Sequence, residues 1–487
     1  MNGSAIWFCK FKRVKMKVIN CFMMELETAI NRFKNFLYIT YLNTVYYLFS
    51  VLFQRKFVKS EKNLGVEIFA SGLLGTKNWN HAKALSELRR SHELLDRGNY
   101  FDGVNRLIAF HESQYDLFAD SNGDFYPPML SREWTNAFGH IPNIGGLIKL
   151  KEKGYVERIP DRAILSSGAK NVPILETFGR EIIFLPDQAG FSTWSQLPSF
   201  IHLFLGQNII WTKKSGFIAF EWLLDKLYSE VTPAEASTLK FELPSEYIRQ
   251  EQRLIGKLGF FDFSEEEWFI TIHIRNSGDS KSKIRNFEID TFQELIDEVG
   301  RQGGKVVRIC NESTPALPTR DFVLDCAKFP DRLRKSHLYF IAKCKVFVGT
   351  SSGPYAYPKL FGTPSLVVNA TNIGRSCLPS SSFQEYLPMR FSKNGRELSL
   401  ADMLESPAGW ADCSQKVLAK MNLQPLPNSS SEISEAFTNF NQRLSEGHTN
   451  EVSRSQARVN DIRSKFAWTS SGNISESFLS NNQSWLS

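Results

Sequence analysis

Paired cysteines are missing from this chain. Its seven cysteines stand singly, at positions 9, 21, 310, 326, 344, 377 and 413. An odd, scattered set without Cys-x-x-Cys supports neither a zinc ribbon nor a disulfide framework, and it points to a reducing compartment. A Gly-x-x-x-x-Gly-Lys-Ser/Thr phosphate loop is also missing, which argues against ATP hydrolysis. No Gly-x-Gly-x-x-Gly opens a βαβ unit, which argues against a dinucleotide dehydrogenase. No Asp-x-Asp stands in the strand contexts where metal-dependent sugar-nucleotide transferases carry it. Collagenous and low-complexity bias are absent too, so the composition is that of an ordinary globular protein.

Charge is present, but it is local. The 487 residues carry a net charge of +7. Up to Lys62, eleven Lys and Arg stand against Glu25, Glu27 and Glu61, so this segment holds the whole excess and the remainder is close to neutral. That pattern argues against nucleic-acid binding and for a basic arm meeting an anionic surface. Within the arm, Phe36 to Phe53 is uncharged and rich in aromatics, with Arg32, Lys34, Arg55 and Lys56 on its flanks. Thr40, Asn43, Thr44 and Ser50 interrupt it, and it is at the short end for crossing a bilayer. It lies too far from the start, without a small-residue cleavage site, to read as a secretory signal. A packed helix, an interfacial anchor and a span are all compatible with it, and its basic flanks suit cytoplasmic anionic lipid. The expected location is cytoplasmic, peripheral on the inner membrane.

Length and patterning divide the chain into five segments. After the arm (1–62), residues 63–124 hold a helical hairpin, with Ala84, Leu85, Leu88, Leu94 and Leu95, then Val104, Leu107, Ile108, Phe110 and Leu117 at helical spacing. From 125 to 255 strand and helix patterns alternate: Gly139-His140 leads into a helix ending near Gly154, and strands are expected at 163–165, 181–185 and 207–211. Alternation of this kind predicts βαβ units and one doubly wound parallel domain. Residues 256–425 repeat the logic. Asp290 and Gln293 read as a capping box, and Phe292, Leu295, Ile296 and Val299 share one helical face. Strands follow at 305–309 and 346–348, Ser336 reads as a helix cap, and Ser365 to Val368 reads as the last strand. The polar tail, 426–487, keeps Ile433, Phe437, Phe440, Phe478, Leu479, Trp485 and Leu486, too many apolar residues for a disordered end. It is expected to pack back on the body.

The chemistry centres on Trp268 to Arg275, Trp-Phe-Ile-Thr-Ile-His-Ile-Arg. Its near-continuous apolar run reads as a strand covered on both faces. His273 and Arg275 share a face of it at its carboxyl end, where ligands of open α/β sheets bind. An Arg there suits a diphosphate, because its planar fork donates two parallel hydrogen bonds; a structural pairing with a carboxylate is the other reading. Gly349-Thr350-Ser351-Ser352-Gly353 forms a strand-to-helix turn whose N–H groups and hydroxyls suit phosphate, and whose glycines would admit a ligand to the backbone.

Ile272-His273-Ile274-Arg275, Gly303-Gly304-Lys-Val-Val-Arg308, Phe347 to Gly353, Phe361-Gly-Thr-Pro364 and the closing Phe478 to Leu486 occur in this order. Together they resemble a family of bacterial glycosyltransferases found among surface-polysaccharide genes. The resemblance implies a GT-B-like α/β fold, with two Rossmann-like doubly wound domains facing a cleft behind an α-helical N-terminal region. It implies a nucleotide-sugar donor, a glycan or lipid-linked acceptor and no metal cofactor. The His-x-Arg element is similar to that of fucosyltransferases, in which the Arg binds the donor diphosphate. Carried over, Arg275 becomes the diphosphate ligand, His273 its neighbour, Gly349 to Gly353 the nucleotide-phosphate turn and Arg308 a second cationic contact. His337 departs from the pattern, where an acidic residue is expected. An inverting transfer also needs a base near the acceptor hydroxyl; His140 is the candidate, with Asp187 and Glu176 as alternatives. The rival reading is a non-catalytic scaffold on a degenerate transferase fold, recruiting partners through the hairpin.

Overall fold

The computed structural model describes residues 130–487 apart from 131, 170, 187–208, 213–215, 262–263, 265–266, 277–283, 311–314, 330–332, 334–335, 381, 410–417, 420, 448–451 and 467–468. The basic arm, the helical hairpin of 63–124 and Asp187 lie outside the described residues.

The N-terminal half begins with helix α1 (Pro142–Glu152), entered through a proline whose missing N–H is one the first turn leaves unbonded anyway. Strands β1 (Arg162–Leu165) and β2 (Ile183–Pro186) pair in parallel around the short helix α2 (Ile174–Phe178), as the alternation predicts. The next pair departs from it. β3 (Ile209–Thr212) and β4 (Gly216–Ala219) run antiparallel. The chain has only residues 213–215 between them, and a parallel crossover needs a dozen residues or more. Helices α3 (Phe220–Glu230) and α4 (Ser245–Gly256) close this half.

The second half is built on seven strands: β5 (Phe269–His273), β6 (Lys305–Arg308), β7 (Val323–Asp325), β8 (Val346–Thr350), β9 (Ser365–Ala370), β10 (Gln384–Pro388) and, far downstream, β14 (Asn473–Ile474). Their order in the sheet is β14-β10-β9-β8-β5-β6-β7, and every neighbouring pair is parallel. Ser365 to Val368 is therefore not the last strand. β10 follows it in the sheet, and β11 (Arg390–Lys393), β12 (Arg396–Glu397) and β13 (Leu423–Leu426) form a small antiparallel sheet beyond.

Helices α5 (Gln293–Arg301), α6 (His337–Lys343), α7 (Ala356–Phe361), α8 (Leu400–Leu404), α9 (Ser430–Glu446), α10 (Arg454–Ser464) and α11 (Glu476–Asn481) complete the body. The face Phe292, Leu295, Ile296 and Val299 is buried, as its spacing requires. Two expected caps do not form. A 3-10 turn, Ile289–Phe292, precedes α5, and its Phe292 cap position makes no side-chain bond. Ser336 leaves α6 uncapped and donates its hydroxyl to Glu251 of α4 instead, joining the two halves. Ser429 and Glu432 do cap α9 reciprocally.

Strand parity sorts the core into two layers. Ile270, Ile272, Ile274, Val346 and Val348 face a cluster shared with α5, α8, α9, α10 and α11. Phe269, Val307, Phe340 and Phe347 face the other cluster, which runs on into Ile144, Phe178 and Phe220 of the N-terminal half. The halves thus share apolar core. The tail supplies Phe437, Phe440, Leu479 and Trp485 to the first cluster and the edge strand β14 to the sheet. It is part of the body.

Candidate active site

The sheet order places the site. From β5 the chain moves outward through β6 and β7, then returns to the other side of β5 as β8 and moves outward through β9 and β10. The order in which strands are added across the sheet therefore reverses between β5 and β8, which run parallel. At such a switch point the two following loops diverge and open a crevice at the carboxyl ends of the strands. Arg275 follows β5, the turn Gly349 to Gly353 ends β8, and His273 pairs in register with Gly349.

The two sides are joined. The Arg275 N–H donates to Thr350 Oγ1 (3.1 Å), and the Arg275 carbonyl accepts from Phe287 N (3.0 Å). The side chain donates through Nε to Asn286 Oδ1 (3.2 Å). Thr350 is wholly buried, so it braces the turn from below, whereas Ser351 is half-buried. Ser351 Oγ accepts from Thr371 N (3.2 Å), which leaves the hydroxyl proton for another acceptor. Ser352 is buried.

The glycines serve the protein's own packing. A Cβ on Gly349 would meet the Phe347 ring at 2.7 Å. A Cβ on Gly353 would meet Gly139 Cα and N at 2.9 Å. The turn Phe138–His140 thus lies backbone to backbone on the turn Gly353–Tyr355. Tyr357 of α7 secures that contact by donating its hydroxyl to Phe138 O (2.7 Å) and by packing its ring 4.2 Å from the Phe138 ring. The openness to ligand expected of these two glycines is filled by chain.

Gly349 to Gly353 also spells Gly-x-Ser-x-Gly, the spacing of a hydrolase elbow, with Ser351 in the nucleophile's place. The strained backbone of such an elbow is absent. Among the described residues the only non-glycines with positive φ are Asn369, Asn372, Asn394 and Asn422.

His140 is exposed, and its Nδ1 lies 3.0 Å from Asn136 Oδ1. With the proton on Nδ1, as that oxygen requires, Nε2 is the basic nitrogen. His273 is pushed down to about 3 by burial, with His337, Arg275 and Arg308 adding to the effect, so its imidazole is neutral at ordinary pH. Its Nδ1 is buried without a hydrogen-bond partner. Arg308 is fully buried and forms a two-point pair with Asp325, Nε to Oδ1 at 2.9 Å and Nη2 to Oδ2 at 3.1 Å, and also donates to Pro315 O (2.6 Å). Asp325 in turn accepts from Leu317 N and Ala327 N. Glu176 is exposed on α2. Among the described residues no group of three or more His, Cys, Asp and Glu is placed to hold a metal ion.

The structure thus brings Arg275, His273, the glycine turn and the His140 loop together at the switch point, and it engages Arg308 with Asp325. Sequence reasoning missed Asn286, Asn136, Thr371 and Tyr357. Thr371 and Tyr357 meet their partners only through the fold, whereas Asn136 reaches His140 within one local turn.

Among solved structures, the chain is similar to the glycosyl transferase family 9 protein of Veillonella parvula, at 12% identity and a TM-score of 0.42 over 66% of this chain and 99% of that one. It is also similar to the ADP-heptose LPS heptosyltransferase II of E. coli, at 11% identity and a TM-score of 0.39 over 65% of this chain and 99% of that one. No protein-family model matches the sequence, and no curated protein does. Likeness this distant carries no residue roles.

Proposed function

We propose that this protein is a glycosyltransferase that moves a sugar from a nucleotide-sugar donor to a glycan or lipid-linked acceptor. The observation that supports it is the placement of Arg275 and the Gly349–Gly353 turn on the two sides of the switch-point crevice, bonded through Arg275 N and Thr350 Oγ1. That is where an open parallel sheet takes a nucleotide.

In this reading the leaving group is a nucleoside diphosphate. Negative charge grows on its β-phosphate as the glycosidic bond breaks, so the Arg275 guanidinium gains more in the transition state than in the ground state. Arg275 is the diphosphate ligand, Ser351 adds a hydroxyl donor, and neutral His273 can accept or donate one hydrogen bond without competing for the anion. His140 stands on the facing loop as base for the acceptor hydroxyl in an inverting displacement. The polysaccharide pathway and the anionic membrane surface met by the arm belong to the same proposal. Among the described residues no helix is long and apolar enough to cross a membrane.

Thermal shift and calorimetry with UDP, GDP and ADP test it. A ligand of the folded state raises apparent stability. One of the three should do so with the wild-type chain, and Arg275→Ala should abolish the shift. Absence of any shift with the wild type would refute the reading.

A further inference from the structure

We propose that Ser470 to Ile474 form a strap that ties the N-terminal half to the sheet, and that Asp225 of α3 is the pin that closes it. The inference stands apart from the nucleotide-sugar reading of the crevice.

The sheet side of the strap is tightly held. Ser470 is fully buried; its N–H donates to Gly374 O and its hydroxyl to Ile373 O, both at 2.9 Å. Gly472 N donates to Cys377 O (2.8 Å), and Asn473–Ile474 then joins the sheet as β14 beside β10. Gly472 leaves no room for a side chain: a Cβ there would run into Cys377 O and meet the Tyr386 ring at 2.8 Å. Arg463 of α10 donates from Nη1 to Gly472 O (2.8 Å).

The other side is held from the N-terminal half by a carboxylate. Asp225 is buried, and its Oδ1 accepts from Ser471 N (2.7 Å) and from Ser471 Oγ (3.1 Å), across 246 positions of chain. The strap therefore runs between a carboxylate of one half, which takes its N–H, and a guanidinium of the other, which takes its C=O. Each charge meets the end of the backbone dipole that it attracts, and such charge-assisted bonds are about twice as strong as neutral ones. One turn earlier on the same face of α3, Glu221 Oε1 lies 3.6 Å from Arg375 Nη2, and Arg375 follows the Gly374 that holds Ser470. Helix α3 also packs closely on α1, where a Cβ on Gly146 would meet Leu224 at 2.9 Å. A strap closed on Asp225 thus holds α3, and α1 with it, to the sheet.

The test is amide hydrogen exchange of the full chain without ligand, read by mass spectrometry. Three peptides report: α3 (220–230), the strap (469–475) and, as reference, β5 (269–273). Ser471→Ala, at an exposed position, loses one of the two bonds and should speed exchange in α3 and in the strap about fivefold. Asp225→Ala loses both and should speed both peptides at least about tenfold, with β5 unchanged. Gly472→Ala acts from the sheet side and should speed α3 as well. A faster strap with α3 unchanged in all three variants would overturn the proposal, since Asp225 would then hold only its own neighbour. Wild-type rates in both peptides for Ser471→Ala and Asp225→Ala would overturn it too. Equal acceleration of β5 in Ser471→Ala would mark a loss of global stability and would also overturn it. Should Asp225→Ala fail to fold, Ser471→Ala decides by the same criteria.

Discussion

Gly139 and Gly353 touch backbone to backbone, although 213 residues of chain separate them: a Cβ on Gly353 would lie 2.9 Å from Gly139 Cα. This contact sets the His140 loop against the turn Gly353–Tyr355. Gly139→Ala should force the two turns apart and cost about 1–3 kcal/mol, the usual range for overpacking. The urea midpoint measures it, and an unchanged midpoint would show that the turns separate freely.

Arg275 and Arg308 should separate cleanly on mutation. Arg308→Ala leaves Asp325 buried without its cation, which typically costs about 3–5 kcal/mol. Arg275→Ala should cost little stability, because its side chain is only half-buried, yet remove nucleoside-diphosphate binding. Denaturation and calorimetry on the same two variants give the comparison.

His140→Ala should reduce turnover by about 10²–10⁴-fold, the usual contribution of a general base, while the diphosphate binds as before. His140 lies on the turn packed against Gly353–Tyr355, and its Nδ1 lies 3.0 Å from Asn136 Oδ1. A turnover number equal to the wild type's would move the base elsewhere.

Lys359 gives a pH signature. It is buried on α7, its Nζ 5.6 Å from the ring centroids of both Tyr355 and Tyr386. Burial brings its pKa down to about 7, against upward pulls from Cys377 and Asp225. Above pH 7 the folded chain has released this proton while the unfolded chain still binds it. This group's contribution therefore rises with pH above 7, by at most about 1.4 kcal/mol per unit, and is lost as pH falls through 7. Lys359→Met should flatten the rise in denaturation midpoint between pH 7 and 8.5 relative to the wild type. Parallel profiles would show that the ammonium stays charged in the fold.

The basic arm should carry the protein to anionic vesicles. Its eleven Lys and Arg, the last of them Lys62, are opposed by only three Glu. Sedimentation with phosphatidylserine vesicles should be strong at low salt and fall as salt screens the charges. Equal sedimentation with purely zwitterionic vesicles would refute an electrostatic arm.

Local pattern determined much of this protein. The apolar run 269–274 could only be a strand buried on both faces, and the spacing of Phe292, Leu295, Ile296 and Val299 could only face a core. The apolar residues of the tail were legible for the same reason: each depends on a residue's own preference or on periodicity within one element. Arg275 at a strand end was legible too. What the fold alone decided is which ends meet. The switch point between β5 and β8, the late strand β14 and the Asp325 partner of Arg308 all depend on pairings between distant segments. Sequence carries no local mark of such pairings, because their free energy comes from shared burial and hydrogen bonding that exist only once the segments are side by side.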